Sequence, residues 1–291
     1  MTRRPAVARR WQHLVRGPLR HLLMVTLVVV LVLSAAAALV PGSRAAITAQ
    51  VTNGTNGTKA ADYFTCAAAY TANTPGIYYK LDDTGTTAAD SGASARTGTY
   101  QGAVTKGVAG ACTRDTGTAI TLDGTTGYVN YATALTTNTS YTSEAWIRTT
   151  TARGGLITGF GAAATGASST TDRVLYLTNT GRVAFGVNNA AKATLTTPNP
   201  YNDGAWHHIM ATAGPTGLTL YVDGTAVTTS ATVIAASYSG NFRVGYDNLT
   251  GWTNAPTSSF LAASVDDVAV YGRTLTATDA LNHYTSGRRP T

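Results

Sequence analysis

Glu144 is the only glutamate among 291 residues, and it stands in Tyr141–Thr149 (YTSEAWIRT), a run that alternates like a half-buried strand. Hydrolysis of a glycosidic bond takes two carboxyls at a set separation, one as acid and one as base or nucleophile. The residues that follow are Ala145, Trp146, Ile147 and Arg148, so the strand offers no second acid. Asp266 and Asp267 are adjacent, and neighbours on a strand point to opposite faces. The same alternation sends His207 and His208 to opposite faces, and no second His cluster completes a metal-ligand set. A G-x-S-x-G turn, which would present a nucleophilic serine, does not occur. C-x-x-C spacing is absent too, so neither a redox dithiol nor zinc is supported. These residue types and spacings argue for a chain that binds rather than catalyses.

Binding chemistry is richest in Tyr246-Asp247-Asn248-Leu249-Thr250-Gly251-Trp252, a loop between a strand-like run and Asn254-Ala255-Pro256. An indole ring stacks on the apolar face of a sugar, and carboxylate and amide groups bond its hydroxyls. Asp247, Asn248 and Trp252 are therefore the candidate ligand-binding residues. The competing reading has Trp252 folded inward as a loop anchor.

The elements that would position this loop are short strands. Ala205–Ala213 and Leu218–Val222 flank Gly214-Pro215-Thr216-Gly217, and the second run places Leu218, Leu220 and Val222 on one face. Asp223-Gly224 turns it into Ala226–Thr229. Further runs are Ile77–Leu81, Ala119–Leu122, Tyr128–Tyr131, Leu156–Phe160, Arg173–Leu177, Arg182–Val187, Asn241–Gly245 and Ser264–Tyr271, with a helical turn at Asp279–His283. Strands at this spacing, with turn residues between them and no alternating helices, predict an all-β sandwich or barrel.

The net charge of +7 does not describe this body. Residues 1–44 hold seven arginines and no acid, which leaves 14 Lys+Arg against 14 Asp+Glu in the rest. The basic pI belongs to a targeting segment, and nucleic acid is not an expected partner. Leu22–Val40 is an uncharged run of 19 residues, followed by Pro41-Gly42-Ser43-Arg44-Ala45. Ser43 and Ala45 suit the −3 and −1 positions of a signal-peptidase cut, while the run also reaches the length of a membrane anchor. Export is expected in either case, with membrane contact only through this segment if it is uncleaved. Cys66 and Cys112 are the only cysteines. An even count in an exported protein predicts one disulfide, with two buried thiols as the alternative.

The ordered motifs resemble a known family. Tyr79-Lys-Leu81, Ala88-Ala-Asp-Ser-Gly92, Gly98-Thr-Tyr100, Leu122-Asp-Gly124, Gly127-Tyr-Val129 and Ser143-Glu-Ala-Trp146 come first. Asn202-Asp-Gly-Ala-Trp-His-His208, Leu220-Tyr-Val-Asp-Gly224 and Val265-Asp-Asp-Val-Ala-Val-Tyr271 follow. Together, over about Ile77–Tyr284, they resemble the laminin-G-like jelly roll of the concanavalin A-like lectin/glucanase superfamily, and the leader resembles an actinobacterial export signal. The resemblance implies two antiparallel sheets forming a jelly-roll sandwich, with ligand or calcium sites on connecting loops. Glucanases of this superfamily carry E-x-D-x-x-E on one strand, a pattern Glu144 lacks. On the family analogy, Asp90 and Asp266 are the candidate metal ligands for Ca2+, a cation that takes oxygen donors. Asp90 alternatively makes an Asx turn.

The expected organisation is a signal peptide or membrane anchor at 1–45, a polar linker at 46–76 and the jelly-roll domain at 77–291. The expected function is a non-catalytic, secreted or cell-surface adhesion module for a glycan or surface polymer. A structural interaction domain without sugar affinity is the first alternative, and a glycoside hydrolase the last.

Overall fold

The computed structural model describes residues 63–231 and 233–288. The expected signal or anchor helix at 1–45 lies outside the described residues. Among the described residues, no helix is long and apolar enough to cross a membrane.

The strands pair antiparallel throughout and form two sheets. The first sheet runs β15 (Thr225–Ser230), β14 (Gly217–Val222), β13 (Trp206–Gly214), β8 (Tyr141–Arg148), β17 (Ala262–Tyr271), β5 (Thr118–Asp123) and β4 (Val104–Ala109). β1 (Ile77–Tyr79) also pairs with β17. The second sheet runs β12 (Ala191–Pro200), β11 (Arg182–Asn189), β10 (Thr171–Leu177), β9 (Gly155–Gly161), β16 (Tyr238–Val244), β6 (Tyr128–Asn130), β3 (Gly98–Gln101) and β2 (Thr87–Ala88), with β7 (Leu135–Thr137) on β16.

Side-chain alternation builds the core. Ala145 and Ile147 of β8, Ile209 and Ala211 of β13, and Leu218, Leu220 and Val222 of β14 turn inward. They share one buried cluster with Leu175, Leu177, Phe185, Phe160 and Phe242 of the second sheet. The Asp223-Gly224 turn after β14 has both residues at positive φ, 50° and 75°, which suits the right-handed twist of a two-residue hairpin.

The other face of the first sheet is also covered. Trp146, Met210, Ala269 and Tyr271 pack in a second cluster with Tyr70, Leu275 and Ala280. These come from two helices and their flanks, α1 (Cys66–Ala72) and α2 (Ala277–Gly287). The Thr65 hydroxyl caps α1 by accepting from the Ala68 amide. Thr276 and Asp279 form a reciprocal capping box on α2. The polar linker expected to end at residue 76 thus contains a helix that belongs to the folded unit. Its one turn of alanines gives little periodic signal, and burial against the sheet decides its conformation. The helical turn expected at Asp279–His283 is extended to a full helix. β4 and β12 lacked a sequence signature because each is an edge strand, half exposed and short of apolar residues.

Cys66 and Cys112 form the expected disulfide. It fastens the start of α1 to the segment between β4 and β5. Closing a loop of 46 residues restricts the unfolded chain. Replacing both cysteines by serine is expected to lower the unfolding free energy by about 3–4 kcal/mol. Chemical denaturation of the variant beside the oxidised protein measures the loss, and an unchanged midpoint overturns it.

Candidate functional site

The single glutamate lies beneath the helices. Glu144 projects outward from β8, His208 from the adjacent β13 and Tyr271 from β17 on the other side. His283 descends from α2 to meet them. The Glu144 carboxylate contacts His208 Nε2 at 2.9 Å and His283 Nδ1 at 2.9 and 3.0 Å, and accepts from the Tyr271 hydroxyl at 2.5 Å. Asn73 Nδ2 reaches His283 Nε2 at 2.9 Å, and Tyr70 stacks on the His283 ring with centroids 4.7 Å apart. Glu144, His208 and His283 have no exposed surface. These three side chains are a possible metal-ligand group, but both histidines already bond the carboxylate, which makes the cluster a lock between helix and sheet.

The adjacent histidines do face apart. His207 bridges Asp223 at 2.8 Å and Asp203 at 3.1 Å, and so clamps two turns together. The expectation that no second histidine completes a ligand set with this pair is corrected for His208, because His283 meets it at Glu144. Nothing in local spacing signals that contact across 75 residues.

Burial pushes the Glu144 carboxyl up. The charge on His283 and hydrogen bonds from both histidines outweigh that and hold it at about 2. Burial lowers His283, and the Glu144 charge and hydrogen bond reverse this into a net rise. The carboxylate therefore contributes stability that is full above about pH 4.5 and is lost as pH falls toward 2. The imidazolium contributes stability that is full below about pH 6.5 and is lost as pH rises through its raised pKa.

A second cluster forms at the middle of β17. One edge of this strand is shared, with β5 pairing Ala262–Val265 and β1 pairing Val268–Val270. Asp266 and Asp267 fall in the gap, where the register with β8 shifts and Asp267 takes a φ of 45°. The bulge corrects the expectation that these carboxyls diverge. Both line one cavity of about 110 Å³ with Lys80, Asp82, Cys112 and Asp115. Asp266 accepts from the Ala111 amide at 2.8 Å, and Asp267 from the Tyr78 hydroxyl at 2.5 Å. Burial pushes both carboxyls up, and the charge of Asp266 pushes Asp267 further. Asp82, Asp115, Asp266 and Asp267 line this cavity beside the Lys80 cation, and carboxylate oxygens are the donors that a hard cation such as calcium takes.

Asp90 does not join this cavity. One of its oxygens accepts from the Tyr78 and Gly92 amides at 2.7 and 2.8 Å, and the other from the Arg96 amide at 2.6 Å. Asp90 thus orders its own loop as an Asx turn, the alternative to a metal-ligand role. It and Asp266 belong to separate networks.

The loop singled out for sugar binding is folded inward. Trp252 is 4% exposed, with its indole donating to the Thr171 hydroxyl at 2.9 Å. It packs with Tyr176, Ala184 and Leu249 on the outer face of the second sheet. Gly186 permits that approach, because a Cβ there would run into the ring. Asp247 is 1% exposed and accepts from the Ser168 amide and hydroxyl, both at 2.9 Å. Asn248 donates to the Ser168 carbonyl at 3.0 Å. In this structure the indole face and the carboxylate are therefore spent on anchoring the loop. The anchored loop instead borders an open groove of about 390 Å³, lined by Thr178, Asn179, Thr180, Arg182, Asn254 and Ala255. These polar turn residues lack periodicity and escaped the sequence reading.

Two antiparallel sheets packed face to face, one of them covered by helices on its outer face, form a jelly-roll sandwich. Residues 123–280 match the Laminin_G_3 family, described as concanavalin A-like lectin/glucanases superfamily, and the chain belongs to it. A search of the curated proteins found no match. Among solved structures, domain 4 of an extracellular arabinanase from Geobacillus stearothermophilus, in complex with arabinotriose, is similar at a TM-score of 0.53 and 15% identity. That likeness covers 72% of this chain and 98% of the other. The receptor-binding domain of botulinum neurotoxin type G is similar at a TM-score of 0.52 and 12% identity, over 73% of this chain and 51% of that one. The binding domain of botulinum neurotoxin DC in complex with SialylT gives 0.52 and 11%, over 74% and 52%. The chain thus spans about half of each neurotoxin structure, and at these identities the likeness is one of fold.

Replacing Glu144 with Gln is expected to cost about 3–5 kcal/mol near pH 5.5, because it breaks a buried ion pair. It should also flatten the decline in stability outside pH 4.5–6.5. Thermal unfolding of both proteins from pH 3 to 9 reads both effects, and parallel profiles overturn the assignment.

Proposed function

We propose that this chain is an exported, non-catalytic glycan-binding module, of the kind actinobacteria place outside the cell. The observation that carries the reading is the groove between the β10–β11 turn and Asn254-Ala255, which offers hydroxyls, amides and one guanidinium. Such groups meet sugar hydroxyls in both donor and acceptor senses. They sit on connecting segments of a rigid scaffold, where binding residues concentrate. No carboxyl lines the groove, and Glu144 is sealed beneath the helices. The carboxyl pair that glycoside hydrolysis requires is thus absent from this groove. The arabinotriose and SialylT held by two proteins of similar fold support a glycan as the ligand class. The basic, apolar N-terminal segment and the disulfide support export.

A glycan array is expected to give selective binding, weakened about ten-fold or more by Asn179→Ala or Arg182→Gln, the size of one lost hydrogen bond. An array without a bound glycan overturns this reading in favour of a structural interaction domain.

We further propose calcium as the cation for the cavity at Asp266, with Asp267, Asp82 and Asp115 as the other donors. A divalent ion there would offset the burial that raises both carboxyls and the Asp266 charge that raises Asp267 further. A raised carboxyl pKa weakens the fold as pH climbs above about 3.8, so calcium should stabilise the protein more at pH 8 than at pH 5. Asp266→Asn is expected to abolish the calcium-dependent rise in Tm. A rise that survives the substitution, or no rise in the native protein, overturns the site.

A further inference from the structure

The disulfide opens onto the acidic cavity, because Cys112 lines it together with Ala67, Asp115 and Asp267. Asp267 is 4% exposed, and its two oxygens are unequally served. Oδ1 accepts from the Tyr78 hydroxyl at 2.5 Å. Oδ2 meets Cys112 Sγ at 3.1 Å, and a disulfide sulfur carries no proton to donate. Among the described residues no donor reaches that oxygen. A buried carboxylate oxygen left in this way, on the wall of a cavity, points to a partner that the oxidised sulfurs do not supply.

Four donor atoms converge at this place. Cys66, Cys112, Asp115 and Asp267 offer one each, and all four atoms lie within 4.8 Å of one another. Both carboxylates are held from behind, Asp115 by the Ala67 amide at 3.1 Å and Asp267 by Tyr78. Hydrogen bonds of that kind orient metal ligands. Two thiolates and two carboxylates make a tetrahedral set for zinc, with sulfur at about 2.3 Å and oxygen at about 2.0–2.2 Å. Calcium takes oxygen alone, so opening the disulfide makes this end of the cavity softer and changes the metal it selects. Lys80 on the same wall offsets part of the surplus negative charge. The two cysteines are 46 residues apart, which is why no local spacing announces the set.

We propose that reduction of the Cys66–Cys112 disulfide turns this end of the cavity into a zinc site, with Cys66, Cys112, Asp115 and Asp267 as its ligands. A dithiol supplies the change. It gives two electrons and two protons to the S–S bond and closes to a cyclic disulfide, which leaves two thiols on the protein. Zinc then displaces both thiol protons. Calcium is a reading of the oxidised protein and needs no sulfur, so the two sites stand or fall apart.

The test is to reduce the full chain with dithiothreitol, remove the reagent under nitrogen, and titrate with zinc and with cadmium beside the oxidised chain. The reduced chain is expected to bind zinc about a hundred-fold or more tightly than the oxidised chain, because only thiolates give the soft donors. Cadmium should give an ultraviolet sulfur-to-metal absorption that Cys112→Ser diminishes. Asp267→Asn and Asp115→Asn should each weaken zinc about ten-fold or more. Near-ultraviolet circular dichroism follows the fold throughout. If reduction alone loosens the fold, zinc should restore the signal and a chelator should remove it again. Equal affinity of the two redox forms, zinc uptake without the folded signal, cadmium uptake without the sulfur absorption, or a folded aspartate variant with unaltered affinity each overturns the proposal.

Discussion

A buried carboxylate must be answered by partners, and Glu144 has no water to supply them. Two histidines and a tyrosine meet it, drawn from β13, α2 and β17. That requirement fixes where the C-terminal helix sits. Once His283 is over Glu144, Tyr284 stacks on Trp146 and Gly287 nests against the same ring. Asn73 and Tyr70 then bring the N-terminal helix onto His283, and the Cys66–Cys112 disulfide fastens it. The two ends of the folded unit close over one face of one sheet because a single charge lies beneath them.

Covering that face has consequences for binding. The outer side of the second sheet is partly covered too, by Leu249 and Trp252 over Leu156, Val174 and Tyr176. Broad flat surfaces are thereby reduced, and cavities survive where regular pairing stops. The acidic cavity lies in the gap that β5 and β1 leave along β17, the polar groove at the β10–β11 turn, and a cleft beside Arg96 where β8 begins. Each is a place where backbone geometry departs from the ladder. Loops on a rigid sandwich can vary their chemistry without disturbing the core.

Much of the sandwich was legible in residue order. Leu218, Leu220 and Val222 reach the core as their alternation requires, and Asp223-Gly224 turns as its residue types require. Adjacent His207 and His208 diverge for the same reason. The reading of Asp266 and Asp267 failed on that very rule. Alternation assumes an unbroken ladder, and a bulge with a positive-φ aspartate returns both carboxyls to one side. Trp252 was ambiguous in a different way. Nothing local tells a stacking platform from an anchor, because the deciding residue, Gly186, lies far along the chain.

Sequence alone determined the all-β class, the core faces of the central strands, the family and the pairing of the only two cysteines. Those features follow from period-two patterning, turn chemistry and simple counting, all of which act over a few residues or leave one choice. The tertiary structure decided that Glu144 is a lock, that Trp252 anchors its loop, and that the available cavities lie at Asp266, Arg182 and Arg96. Burial and partner choice set those roles. They depend on groups brought together from distant segments, such as Glu144 with His283 and Asp247 with Ser168, which only the closed sandwich places within hydrogen-bond reach.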